Sequence, residues 1–480
     1  MSIKNNVFYN LIKTFSLILF PLITFPYVSR TLLPENVGKI NFGLSFVSYF
    51  SLLATLGITT YAIRECSAVR DNKIKLTNIA SQIYSISIIS SSIAYILLFF
   101  IVFGFSELDS YRILITIQSI SIIAVTIGAD WINAALEDFK YITYRTILFQ
   151  LLSLVLIFSF VHSSNDYLLF AVISLVSSCG ASLTNIFHRK KYCNIKMVRN
   201  IFQGIEWKRH LPPILYLFVM MFSQTIFTSV DHTMLGLMHG DYEVGIYTTA
   251  CKIANLINQL VASILWVIIP RMSYYFAQKK YDEINDLLRK ILGLNFTIGI
   301  PSAIGCYVLS DDIVILLAGN SFIESSQVLR ILMIGFLISL VGGNFLGNAV
   351  LIPSGREKYY MVVCVITAIA NIFGNYFLIA RFGANGAAVT TTICSLIILA
   401  LLFLKVDHNI HIKNKLSLVI SPLVGSFFII IVCLLCRNIE DIYLRIIISF
   451  VSCFLIYSFV IIFMKNEHAL IVLSYLKKSR

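Results

Sequence analysis

Residues 224–271 read QTIFTSVDHTMLGLMHGDYEVGIYTTACKIANLINQLVASILWVIIPR, two long apolar runs parted by the turn residues His239, Gly240, Asp241, Tyr242 and Glu243. A helix needs about 20 apolar residues to cross a bilayer, so this stretch predicts a membrane hairpin. With its tip near Asp241, Asp231 lies ten residues before the tip and Lys252 eleven after it. At about 1.5 Å of rise per residue both charges sit roughly 15 Å below one membrane face, at a shared depth where they can pair. A charge at that depth costs several kcal/mol unless it faces a partner or a watery cavity. Polar residues extend each stripe at helical spacing: Gln224 and Thr228 with Asp231, and Asn255, Gln259 and Ser263 with Lys252. Two readings stay open together: a charged, wet inner face that binds a ligand, and a simple lock between two helices.

The composition agrees with a membrane chain. Of 480 residues 58% are hydrophobic and 13% charged, with mean hydropathy +0.85. A soluble domain carries about 25% charged residues. The formal net charge of +13 is spread over short loops between apolar spans, where positive-inside bias accounts for it without a nucleic-acid partner. The run 11–33 is too long for the apolar core of a signal peptide and has no small-x-small cleavage site, so it is expected to remain as the first helix. Ten cysteines lie mostly inside apolar spans, and the Cys433-Leu-Leu-Cys436 motif falls within one of them, which favours helix packing over metal or redox chemistry.

Outward from the hairpin, the sequence divides into about fourteen spans, beginning near residues 9, 38, 78, 111, 143, 166, 211, 243, 287, 327, 358, 384, 416 and 442. With loops assigned alternately, lysines and arginines favour the N-terminal side by about four to one, densest between Arg189 and Arg209, which places both termini in the cytoplasm. Pro21 and Pro26 predict a bend in the first helix, with Arg30 near its outer end. Val37-Gly38 and Arg64 are spaced as Val244-Gly245 and Arg271 are, with an offset of 207. Under that offset Asn41, Ser45 and Ser48 fall on Thr248, Lys252 and Asn255, so both copies carry a polar stripe and only the second is charged. A repeat of six helices returns the chain to its starting side, giving parallel copies about an axis along the membrane normal and a central cavity.

The expected fold is therefore all-α and integral to the membrane: an N-lobe over 1–200, a C-lobe over 201–408, and two further helices with a cytoplasmic tail over 409–480. The basic stretch 188–210 is the linker, with an ordinary solvated loop as its plain reading. Residues 311–327 alternate apolar and polar as an amphipathic surface helix does. Asn344 and Asn348, each directly after a glycine (Gly343 and Gly347), and Asn371 with Asn375, read as interhelical glue or as ligand groups. No G-x-x-x-x-G-K-[ST], H-E-x-x-H or G-x-S-x-G occurs, His408 and His411 have no third ligand, and no cofactor or metal is implied. Transport is the reading that is left.

The segments Pro21-Leu-Ile-Thr-Phe-Pro-Tyr-Val-Ser-Arg30, Glu35-Asn-Val-Gly38 and Ile63-Arg64-Glu65 resemble the opening of bacterial O-antigen repeat-unit flippases of the Wzx type, in the multidrug/oligosaccharidyl-lipid/polysaccharide (MOP) exporter superfamily. Asp130-Trp131, Asp231-x-x-Met-Leu-Gly236, Val244-Gly245-x-Tyr247, Pro270-Arg271, Pro353-x-Gly355 and Gly383-Ala384-x-Gly386 continue the resemblance in order. It implies a V of two six-helix bundles like the MATE drug exporters, plus two C-terminal helices, in the bacterial inner membrane. It further implies movement of an undecaprenyl-pyrophosphate-linked oligosaccharide between leaflets, with a polysaccharide polymerase and a chain-length regulator as partners. A pyrophosphate in a desolvated cavity needs cations; Lys252 and Arg30 are the candidates, with Asp231, Asn255 and Gln259 beside them. Arg64 and Arg271 would either gather the headgroup at the cytoplasmic entry or orient their helices, and Asp130 is a candidate for gating or proton chemistry or for helix-end packing. A cation-coupled drug exporter of the same fold is the alternative. A membrane polymerase or acyltransferase would show a large periplasmic loop or a His/Asp cluster, and neither is seen in the sequence.

Overall fold

The computed structural model describes residues 3–200, 202–407, 410–411 and 415–466. His408, the tail from 467 and the side chain of Ser263 lie outside the described residues. In chain order the helices are α1 (Ile3–Thr55), α2 (Ile58–Ala68), α3 (Lys73–Gly104), α4 (Arg112–Gly128), α5 (Trp131–Ala135), α6 (Phe139–Phe160), α7 (Tyr167–His188), α8 (Trp207–His239) and α9 (Asp241–Ala277). They continue with α10 (Tyr281–Val308), α11 (Ser310–Leu317), α12 (Ser325–Val341), α13 (Glu357–Phe403), α14 (Lys415–Cys436) and α15 (Ile442–Phe463). α1 breaks at Leu33 and α13 at Gly383. Each therefore counts as two spans, which gives fourteen membrane-length segments among the described residues.

The break in α1 is not where the early prolines led us to expect a bend. Helical dihedrals run through Pro21 and Pro26, and the chain leaves them at Leu33 (φ 64°, ψ 167°). Pro34 follows at once. A proline disfavours helical geometry in the residue before it and suits the first turn of a new helix, where its missing N–H is not needed. The hydroxyls of Thr24, Ser29 and Thr31 bond carbonyls one turn back, so no lipid partner is required of them.

Contacts divide the chain into two compact units, Met1–Gly245 and Ile246–Arg480. In the first, α1 packs on α3, α4, α6 and α8, α4 packs on α7, and α6 on α7. Its polar joints are local: Asn133 donates to Asn185 and Asn185 to the Gly128 carbonyl, and Gln118 donates to the Ile40 carbonyl. Asp138 accepts from the Tyr141 amide at the start of α6, and from His188 and Tyr192. Burial alone would raise the Asp138 carboxyl, but the hydrogen bonds from Tyr192, His188 and Tyr141 hold it below the ordinary carboxylate range.

The repeat-related glycines Gly38 and Gly245 come together within this unit. A methyl group on Gly38 would collide with the Asp241 carbonyl, and one on Gly245 with the Pro34 carbonyl. Backbone meets backbone there, a proximity that only the missing Cβ permits. Tyr111 donates to Asp241 at 2.6 Å and closes the same corner.

In the second unit α10 packs on α12 and α14, α12 on α13, and α14 on α15. α12 runs on into a π-helical stretch, Gly342–Leu351, where Asn344 donates to Asn258 of α9 at 3.0 Å. Asn375 donates to Asn371 one turn back. The two C-terminal helices are tied to the rest by Tyr457, which donates to the Thr297 carbonyl, and by the Arg445–Asp312 ion pair. Cys433 faces Cys453 of α15 at 3.5 Å and Cys436 is buried, all of them free thiols. The expected surface helix over 311–327 is shorter: α11 ends at Leu317, the chain turns at Gly319 (φ 95°), and α12 has begun by Ser325. Its acids are used in pairing, Asp311 with Arg330 and Asp312 with Arg445.

Gly38→Ala and Gly245→Ala are each expected to destabilise the purified protein by about 1–3 kcal/mol, the usual effect of overpacking. Gly104→Ala, at a position with nothing near its missing Cβ, leaves the melting temperature unchanged. Equal melting curves for all three variants would refute the backbone contact.

Candidate functional site

The predicted site residues fall into separate environments. On α8 Asp231 is buried, at 3% exposure, while Gln224 and Thr228 on the same stripe are exposed. The first-copy stripe on α1 does not line open space: Ser48 donates to Ser229 at 3.1 Å, and Ser45 and Tyr49 lie 3.3 and 3.0 Å from the Thr233 hydroxyl. The stripe of α1 and the neighbouring face of α8 thus form one hydroxyl seam. Such bonds join helices where no water competes for them.

On α9, in the second unit, Lys252, Asn255 and Gln259 are all exposed. Three and four residues apart, they form a single stripe. The stripe joins a long cationic side chain to two amides that can both donate and accept, a set suited to phosphate oxygens and sugar hydroxyls. Further along α9, Arg271 is exposed and donates from Nε to the Tyr275 hydroxyl at 2.9 Å, its guanidinium also lying over that ring. Arg64 of α2 is the repeat equivalent. It is exposed, pairs with Glu65 at 3.5 Å and lies over the Tyr61 ring, while Glu65 also receives Arg209 at 3.1 Å.

Arg30 opens onto a groove of about 660 Å³ confined to the first unit. Tyr27 and Phe158 form an aromatic pair in its wall, with centroids 4.6 Å apart, and the segment His162–Ser164 closes the other side. Tyr27 is fixed by donating to the Val161 carbonyl at 2.7 Å.

Asp130 is a pairing site. Its carboxylate lies 3.0 Å from Arg145 and accepts from Ser182 at 2.9 Å, and Arg145 also donates to the Ala181 carbonyl. Arg145 is 6% exposed. Lys13 of α1 is within electrostatic reach of both. Sequence reasoning did not single out Arg145; its position within α6 was the available signal. The groove around Tyr27 and His162 left no signal, because its residues come from α1, from the end of α6 and from the turn after it.

Residues 3–276 match the family described as polysaccharide biosynthesis protein. The chain belongs to that family. Residues 243–456 also match the family described as lipid II flippase MurJ. Among curated relatives, the capsular polysaccharide biosynthesis protein CapF of Staphylococcus aureus is 26% identical, over 76% of this chain and 89% of that protein. A putative O-antigen transporter of Escherichia coli (strain K12) is 23% identical over 85% and 98%. Among solved structures, the lipid II flippase MurJ in an inward closed conformation superposes with TM-score 0.73 and 16% identity, covering 95% of this chain and 99% of that one. An inward-facing multidrug resistance MATE family transporter of the MOP superfamily gives 0.62 and 16%, over 80% and 92%. The fold of this member of the polysaccharide biosynthesis family is thus that of the MOP transporters, and the chain is a multi-pass membrane protein.

Asp130→Asn leaves Arg145 beside Lys13 without a counter-charge, and Asp130 is itself about one-third exposed. The expected loss of stability is about 1–3 kcal/mol, below the figure for a fully buried pair. Arg145→Gln combined with Asp130→Asn is expected to lose less than Asp130→Asn alone. A double variant as unstable as the sum of the two single variants would show that the pair carries no coupling.

Proposed function

We propose that this protein is a flippase carrying a lipid-linked oligosaccharide, an undecaprenyl-pyrophosphate-linked O-antigen unit or a similar surface-polysaccharide repeat, from the cytoplasmic to the periplasmic leaflet. The observation that carries the reading is the stripe Lys252, Asn255, Gln259, exposed along one face of a membrane helix, in a chain of the polysaccharide biosynthesis family. A lysine at membrane depth is retained where an anionic group or water meets it. A pyrophosphate needs such a cation, and the amides serve the first sugar.

In this reading the protein moves its substrate by alternating access and does not transform it. Lys252 receives the phosphates, Asp231 supplies the carboxylate at matching depth when no headgroup is bound, and Arg30 assists at the outer end. Arg64 and Arg271 stand at equivalent ends of the two copies and gather the headgroup on the cytoplasmic side. Asp130, paired with Arg145 and bonded by Ser182, fits a structural or gating role. The protein resides in the inner membrane with both termini cytoplasmic, and it hands its cargo to a polymerase and a chain-length regulator. A cation-coupled drug exporter of the same fold would need acidic groups along the stripe where this chain has Lys252.

Deleting the gene is expected to leave the lipid-linked unit on the cytoplasmic leaflet, and restoring it to return surface polymer. Lys252→Ala, still inserted at native level, lowers surface polymer about tenfold or more, the cost of losing one charge-assisted contact in a desolvated site; Lys252→Arg retains much of it. Normal polymer from Lys252→Ala would remove the phosphate role. Drug resistance that rises and falls with the gene while polymer stays constant would move the assignment to the exporter.

A further inference from the structure

The linker between α7 and α8 is more than a solvated connection. From Arg189 to Arg209 it holds seven lysines and arginines and one acid, Glu206. It is also built. The Lys196 amide donates to Ser81, the Val198 amide to Ser85 at 2.8 Å, and the Glu206 amide to Gln82 at 2.9 Å, three side chains on α3. Cys193, Ile195 and Ile205 enter the hydrophobic core of the first unit. His210 then bridges Gln82 and Tyr61.

These anchors fix the depth of the linker. Ser81 and Ser85 lie eight and twelve residues from Lys73, the first residue of α3, roughly 12–18 Å along it at 1.5 Å per residue. α3 has 32 residues, about 48 Å, against a hydrocarbon core of about 30 Å. A segment bonded at Ser81 and Ser85 therefore lies along the side of α3, beside the beginning of the span, and does not project away from it.

Between the two feet, at Val198 and Glu206, the chain makes a finger. The Asn200 side chain accepts from the Phe202 and Gln203 amides, and the Gly204 amide returns to the Asn200 carbonyl at 2.8 Å. Gly204 lets this turn press against Val198. At the tip Phe202 is 89% exposed, and Met197 of the same linker 46%. Lys196, Arg199 and Lys208 of the same linker are all exposed and without an ion pair among the described residues. An aromatic ring presented outward on a segment with exposed cations, beside the beginning of a membrane span, combines the two attractions of an interfacial anchor, apolar insertion and attraction to negative lipid.

We propose that the 189–209 linker is a binding surface for anionic phospholipid headgroups, with Phe202 as the inserted wedge and Lys196, Arg199 and Lys208 as the headgroup contacts. This rests on the anchoring, exposure and charge of the linker and holds whatever cargo the transporter carries.

The full-length protein carrying Phe202→Trp, in vesicles containing ring-distant, shallow-brominated phospholipid, tests this, with the unsubstituted protein measured alongside so that its native tryptophans are subtracted. In vesicles with about one-third phosphatidylglycerol the added fluorescence is expected to be quenched severalfold more than in pure phosphatidylcholine, and the difference to shrink at 1 M salt, where the screening length falls to about 3 Å. Lys196→Gln, Arg199→Gln and Lys208→Gln together abolish the difference without changing the melting temperature. Absence of quenching in both vesicles would place Phe202 in water, as a surface awaiting a protein partner would be, and would overturn the proposal. Equal quenching in both would overturn it too, leaving apolar insertion without charge recognition.

Discussion

Hydrocarbon offers no hydrogen-bond partner, and that constraint governs the polar side chains of the spans described here. A chain placing serines, threonines, asparagines and charges inside its spans must satisfy them from its own neighbours or from water. The first unit does so in three ways. Hydroxyls fold back on carbonyls of their own helix, as Thr24 and Ser29 do. Others zip two helices together, as Ser48 and Ser229 do. Asp130 and Arg145 are set against each other. The bare meeting of Gly38 with the 241–245 backbone belongs with these: with no side chains between, the two main chains draw near enough for Tyr111 to reach Asp241.

The sequence made the number of spans legible because apolar length is a strong, additive signal. Fourteen segments follow from it, and both merged helices divide where a span start was expected, near residues 38 and 384, against breaks at Leu33 and Gly383. Where local rules compete, the reading was weaker. Pro21 and Pro26 each announce a bend, yet the interruption falls one residue before Pro34, because the residue preceding a proline is the one pushed out of helical geometry. The alternation over 311–327 suggested a longer helix than Ser310–Leu317, since Gly319 takes a left-handed turn that periodicity does not register.

The candidate site was legible in parts. Lys252, Asn255 and Gln259 lie on one exposed stripe, as their spacing required. The first-copy serines share that spacing and are instead spent on α8, because period alone tells which residues share a face and not what covers it. Arg145 escaped attention for the opposite reason: no spacing marks it, and its role shows only when its partner Asp130 is seen. The linker escaped because its anchors, Ser81, Gln82 and Ser85, lie more than a hundred residues away.

The π-helical stretch at Gly342–Leu351 has a consequence for how this chain can change over evolutionary time. Bonds that reach five residues back take in one more residue per turn than an α-helix closes on, so the stretch works as a phase adjuster. Residues before it and after it can keep their separate contacts, the Ile331 carbonyl with Thr392 and the Tyr359 hydroxyl with the Leu401 carbonyl, even if a single residue is gained or lost within it. Elsewhere in a membrane helix such an indel would swing every downstream side chain by about 100°. Here the slack is stored locally, which leaves this part of the second unit open to adjustment while its flanks stay in register.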